Sequence, residues 1–137
     1  EILNRMSKDD HPVVHKVITK EELLQAKKLC DQIYVDEKIK NYIVDLVMAT
    51  RAPEKSGLSS LQGLLQVGGS PRATISLTRA GKAHAFVRGR GYVTVEDIRA
   101  IAYNVLRHRL ILSYEAEAEG IDTDQVIKDI FSLFIFN

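Results

Sequence analysis

Gly68-Gly69-Ser70-Pro71-Arg72-Ala73 opens the helix around which the rest of this chain is arranged. Two glycines predict a loose approach, Ser70 is a good N-cap, and Pro71 suits the first helical position, where no N–H is needed. Arg72 falls in the opening turn, beside unpaired backbone N–H groups and the positive end of the helix dipole. A cation there is disfavoured by a few tenths of a kcal/mol up to ~1 kcal/mol. A helix start that offers both N–H groups and an arginine suits an anion such as a phosphate. The plainer reading is an ordinary capped helix with a surface arginine. Spacing alone favours it.

From Pro71 the helix is expected to run to about residue 88. Ala73, Leu77, Ala80, His84 and Val87 form one face, and Ile75 with Phe86 a second, which predicts a helix in the middle of a bundle. His84 reads as a hydrogen-bonded core or boundary histidine. Upstream, residues 52–69 hold Pro53 and four of the eight glycines, and read as a loop with a helical turn near 60–66. Before it, Asp36 caps a helix over 37–51 whose stripe is Ile39, Tyr42, Ile43, Leu46 and Val47, the strongest helical signal in the chain. Thr19 and Glu22 form a capping box for a helix over 20–31. Within that helix Cys30 shares a helical spacing with Leu23, Ala26 and Ile33, which predicts a buried, inert thiol. Residues 1–7 look like the end of a helix begun upstream, with Ile2, Leu3 and Met6 apolar. His11 and His15 lie in and beside a polar linker without a third ligand, and read as solvated.

Downstream, Gly89-Arg90-Gly91 ends the central helix, and Thr94-Val95-Glu96-Asp97 caps the next. Arg107-His108-Arg109 closes that helix, where cations suit the dipole. The acidic run Glu115-Ala116-Glu117-Ala118-Glu119-Gly120 reads as a solvated segment. A last helix runs from Asp122 to about residue 134, with Val126, Ile130, Leu133 and Phe134 facing the core. The expected fold is mainly α, a bundle of about five helices with at most short β segments near 33–35, 92–93 and 110–114.

Composition narrows the function classes. With 137 residues, 45% hydrophobic and 27% charged, the chain is an ordinary globular domain. A net charge of +1, from 19 basic against 18 acidic residues, disfavours a general polyanion binder. One cysteine excludes an internal disulfide and a cysteine zinc site. No apolar run is long enough for a membrane span, so the cytoplasm is the default. Gly81-Lys82 lacks the rest of a P-loop, and no HExxH motif or nucleophile elbow is present. The 137 residues by themselves are not expected to be catalytic. A first residue of Glu1 suggests a piece of a longer chain.

Five stretches make a resemblance specific. They are Tyr34-Val35-Asp36 with Tyr42-Ile43-Val44-Asp45-Leu46-Val47 and Ala49-Thr50-Arg51; the glycine–serine–proline–arginine turn; Arg88-Gly89-Arg90-Gly91-Tyr92-Val93-Thr94-Val95-Glu96-Asp97-Ile98; Val105-Leu106-Arg107-His108-Arg109-Leu110; and Tyr114-Glu115-Ala116-Glu117-Ala118-Glu119-Gly120-Ile121. In this order they resemble the C-terminal lid of the MoxR family of AAA+ ATPases, over residues 19 to 130. The resemblance implies a helical lid (19–137) after a tail of the ATPase core and linker (1–18). It also implies ATP and Mg²⁺ held by the upstream core, with the Walker motifs, sensor 1 and arginine finger outside these residues.

Arg72 matches the family's sensor 2 arginine, which reaches the terminal phosphates, so Ser70, Pro71, Arg72 and Ala73 are the expected nucleotide-facing residues and Arg72 the catalytic one. The family usually has Gly-Ala-Ser or Gly-Pro-Ser before Pro-Arg, and Gly69 departs from this toward a less rigid turn. The family's members act as ring-forming, chaperone-like ATPases, often with von Willebrand A-domain partners. That implies neighbouring subunits and the upstream core as partners, with neither membrane nor nucleic acid. The resemblance assigns no role to Arg107, His108 or Arg109. Two other classes stand beside it: a helical nucleic-acid-binding module using Arg72, Arg79, Lys82, Arg88 and Arg90, and a bundle serving protein interaction alone.

Overall fold

Side-chain caps decide where most of the helices begin. Thr19 and Glu22 bond reciprocally to each other's backbone amides and start α1 (Lys20–Gln32). Asp36 accepts the Lys38 amide at the head of α2 (Glu37–Arg51). The next helix, α3 (Pro71–Val87), begins after Ser70 with no side-chain cap. Thr94 and Asp97 form a second reciprocal box at α4 (Val95–Leu106), Ser113 caps α5 (Tyr114–Ala118), and Asp122 caps α6 (Thr123–Leu133). These interactions satisfy amides that a helix start leaves without intrahelical partners.

The computed structural model describes residues 14–134; the expectations for residues 1–7 and His11 lie outside them, and His15 is exposed. Among the described residues six helices stand where about five were expected, in a mainly α domain. The extra one is α5: Ser113 takes the Ala116 amide and Ala116 is buried, so the acidic run is a short helix seated by Ala116, and its other residues are exposed as expected. The expected loop at 52–69 contains 3₁₀ turns at Pro53–Ser56 and Ser59–Leu61, then β1 (Leu65–Val67). β1 pairs antiparallel with β2 (Ile111–Leu112), matching Leu65 to Leu112 and Val67 to Ile111. Tyr34 and Tyr92 form a single parallel bridge, in which the Tyr34 amide donates to the Gly91 carbonyl at 2.9 Å.

α3 is the central helix and packs against α1, α2 and α4. Its buried row is Ala73, Leu77, Gly81 and Ala85, each four residues after the last, so the residues stack on one face. Small residues in that row let α4 approach: a Cβ at Gly81 would lie 2.6 Å from Ile98 Cδ1. The expected double-faced pattern is corrected here. Val87 and Ile75 are exposed, because the row that meets α4 is the small-residue one. Around it Ile43, Leu46, Leu77, Ile98, Leu106, Ile127 and Ile130 are fully buried, each contributing about 1.5–3 kcal/mol of transfer free energy.

The first helix departs most from expectation. No residue of α1 is buried, Leu23, Leu24 and Leu29 are largely exposed, and Cys30 is only half-buried. Its main neighbour is α3 alone, so an apolar spacing that reads as a core face is covered on one flank only.

Candidate functional site

The site begins at the end of α2, not in the loop before α3. Thr50 is buried there, and its hydroxyl donates to the Val47 carbonyl at 2.6 Å. The same oxygen accepts the Gly69 amide at 2.8 Å. Gly68 passes so close that a Cβ would lie 2.3 Å from the Thr50 carbonyl oxygen and 2.9 Å from Arg51 Cα. Gly69 is buried against Thr50 and Val47. Both glycines therefore serve close approach, and neither has a positive φ. The expected loose, less rigid turn is corrected to a clamped one. Gly68→Ala should destabilise the domain by about 1–3 kcal/mol, since backbone rather than a yielding side chain blocks the methyl. Urea denaturation at constant slope measures this; unchanged stability would show that the clamp yields freely.

From that clamp the chain turns into α3. Ser70 has N-cap geometry (φ −80, ψ 165), yet its hydroxyl caps nothing, contrary to the simple cap reading. Its carbonyl accepts the Ala73 amide at 2.8 Å. Ser70, Pro71 and Arg72 are exposed, whereas the Ala73 side chain is fully buried and anchors the turn to the core. Among the described residues Arg72 has no hydrogen-bond or ion-pair partner. Before the helix start lies a hollow of about 360 Å³ bordered by Arg51, Gln66, Val67 and residues 68–71. Arg51, exposed at the end of α2, is the cation that borders this hollow. Reading from the turn alone missed both Thr50 and Arg51; the stretch Ala49-Thr50-Arg51 was the signal available for them. The arrangement is a fixed helix start, uncapped by side chains, with a free guanidinium in its first turn. It suits an anion.

The other basic residues divide among separate tasks. Arg90 donates through both terminal nitrogens to Asp97, at 2.7 Å from Nη1 to Oδ2. His84 Nδ1 lies 2.6 Å from the same carboxylate, and the Thr94 amide donates to it at 2.8 Å. Asp97 is fully buried. Burial alone would raise its pKa, but the Arg90 guanidinium, the Thr94 amide and His84 outweigh it and hold the carboxyl well below the usual carboxylate range. Arg107 pairs bidentately with Asp124 at 2.7 Å for both bonds, joining α4 to α6. Arg109 donates to the Val105 carbonyl and to Ser76. The unassigned Arg107 and Arg109 are thus struts between elements.

For a nucleic-acid module, Arg72, Arg79, Lys82, Arg88 and Arg90 had to form one surface. Arg90 is instead held by Asp97, and α3 runs through the middle of the bundle, packed against α1, α2 and α4. A recognition helix needs an open face for a groove. Among the described residues there is no cluster of His, Cys, Asp and Glu for a metal, and no helix long and apolar enough to cross a membrane.

Comparison with known proteins gives this geometry its context. The model of the AAA lid domain matches residues 61–130. Chaperone MoxR1 of Mycobacterium tuberculosis is 34% identical over 130 residues, which are 95% of this chain and 34% of that protein. Protein MoxR of Paracoccus denitrificans is 38% identical over 90 residues, covering 61% of this chain and 26% of that one. A crystal structure of a protein described as an ATPase, from Cytophaga hutchinsonii, superimposes with a TM-score of 0.92 at 39% identity, over 99% of this chain and 42% of that chain. The chain thus spans about a third of the length of MoxR1. By its fold, the matched span and these relatives, the chain belongs to the AAA lid domain family, as a lid of the MoxR type.

Proposed function

We propose that this domain closes over ATP bound by an ATPase core in the same protein, and that Arg72 is its sensor 2 residue. The single observation that carries the reading is the clamped start of α3, where Arg72 is exposed and free of partners while Thr50 and Gly69 hold the backbone. An arginine offers a planar, permanently charged fork that matches phosphate oxygens. Closing the lid moves that fork from water to the phosphates, so nucleotide state and domain angle become linked. The linkage requires tighter contact in the closed, ATP-loaded state than in the open one. Ser70 and Pro71 shape the approach, and Ala73 seats the turn. Arg51, at the hollow before α3, is a further group of the right charge.

ATP and Mg²⁺ belong to this function through the core. The Mg²⁺ ligands and the backbone cradle of the phosphates lie there, and this domain adds a cation and a helix terminus. The parent is then a ring-forming, chaperone-like ATPase of the cytoplasm, in which neighbouring subunits and von Willebrand A-domain proteins are the partners. Amide chemical shifts of the 137-residue chain, titrated with millimolar ATP, test the lid's share directly. The expected changes centre on residues 70–74, without useful affinity. Micromolar binding by calorimetry, with the 137-residue chain alone, would overturn the lid reading.

A further inference from the structure

Along α3, beyond Arg72, a second surface has a different character. Between α2 and α3 lies a groove of about 400 Å³ with Ile43, Val44 and Ile75 on its floor. It shares Asp31, Arg79 and Lys82 with a neighbouring hollow of about 480 Å³ under the end of α1. Val44 is 47% exposed and Ile75 55%, large values for aliphatic side chains beside a packed core. The rim carries Lys27, Lys40, Arg79 and Lys82 against one carboxylate, Asp31. Lys82 donates to the Asp31 main-chain carbonyl at 2.8 Å, and Lys40 pairs with Glu37. Arg79 and Lys27 have no partner among the described residues. On a chain whose net charge is +1, this concentration of cations is local.

We infer that this groove docks an acidic peptide segment of a partner protein, seating an apolar side chain on Ile43, Val44 and Ile75. Its carboxylates meet Arg79, Lys82 and Lys27. Charge complementarity identifies the occupant: an exposed apolar floor ringed by cations favours a segment that is apolar at its centre and acidic at its ends. Thr74 donates to the Pro71 carbonyl and Thr78 to the Thr74 carbonyl, so both hydroxyl protons are used within α3 and the cations are the groove's donors. Arg72 does not border the groove, which makes this surface separable from the proposed phosphate contact.

A fluorescein-labelled peptide of sequence Glu-Glu-Leu-Leu-Glu-Glu, followed by anisotropy, tests this on the 137-residue chain. The expected result is saturable binding that Arg79→Glu and Ile75→Asp each weaken at least about tenfold. Both side chains are exposed and without a described partner, and circular dichroism confirms that the variants fold. Val44→Ser, on α2 where Ile75 is on α3, supplies a third variant and should weaken binding in the same direction. Raising salt should reduce affinity only partly, because the apolar anchor is not screened. Arg72→Ala should bind the peptide as the unaltered chain does. Equal binding of a Gln-Gln-Leu-Leu-Gln-Gln peptide would overturn the proposal. So would unchanged affinity in Arg79→Glu, loss of binding in Arg72→Ala, or displacement of the peptide by ATP or a DNA duplex.

Discussion

Arg72→Ala in the full-length protein should lower steady-state ATP hydrolysis at least about tenfold, toward the ~10³–10⁵ range known for arginines that stabilise a transferring phosphoryl group. The fold should survive, because Arg72 is exposed and makes no described contact that its loss would break. Removing a first-turn cation even relieves a small unfavourable interaction with the helix dipole. Arg72→Lys should rescue only in part, since a single ammonium cannot present two parallel donors. Arg88→Ala, exposed at the far end of α3, is the matched control and should turn over ATP normally. Wild-type turnover in a folded Arg72→Ala protein would remove the sensor role.

Asp97→Asn should be the most destabilising polar substitution in the domain, at about 3 kcal/mol, near the lower end for breaking a buried pair. The lower end applies because the Arg90 and His84 side chains keep 29% and 25% of their exposure and can recover water. That corresponds to a fall in Tm of about 10 °C. Acid tests the same carboxylate from the other side. Its folded pKa lies below the ordinary 3.8, so its stabilisation is complete above about pH 4. It is lost as the pH falls from there toward the folded value, because the unfolded chain then binds the proton first. Chemical denaturation between pH 2 and 6 should show a falling acid limb in the unaltered chain, with a shallower one in Asp97→Asn. Parallel curves would assign the acid sensitivity to other carboxylates.

What could be read without coordinates was what depends on near neighbours in the chain. The caps at Thr19 with Glu22 and Thr94 with Asp97 are each four-residue patterns, and both formed. The stripe of α2 from Ile39 to Val47 is likewise local, and each of its five residues is buried. Contacts between distant residues stayed hidden. Asp97 could be seen as a cap, but not as the meeting point of Arg90 and His84. That convergence depends on Gly89, whose φ of 71° turns the chain back over the end of α3.

The site shows the same division. Ser70-Pro71-Arg72 was legible as a helix start, and the structure puts an exposed arginine there. Gly68 and Gly69 were legible only as glycine, which signals freedom or closeness without saying which. Thr50, nineteen residues before Gly69, decides for closeness. Cys30 misled because helical spacing marks a face and cannot say how many neighbours will cover it.

The bond between Gly69 and Thr50 also has a mechanical meaning. A force applied at the Arg72 guanidinium enters α3 at its first turn, where the adjoining backbone is fastened to the end of α2. α2 in turn carries Ile43, Leu46 and Val47, which sit in the common core with Leu77 and Ile98. Pull on the arginine is therefore shared by the whole body rather than absorbed in a bending turn. Such a domain behaves as a stiff lever, so that a small rotation about a distant pivot becomes a displacement of the guanidinium through the same angle multiplied by the lever's length.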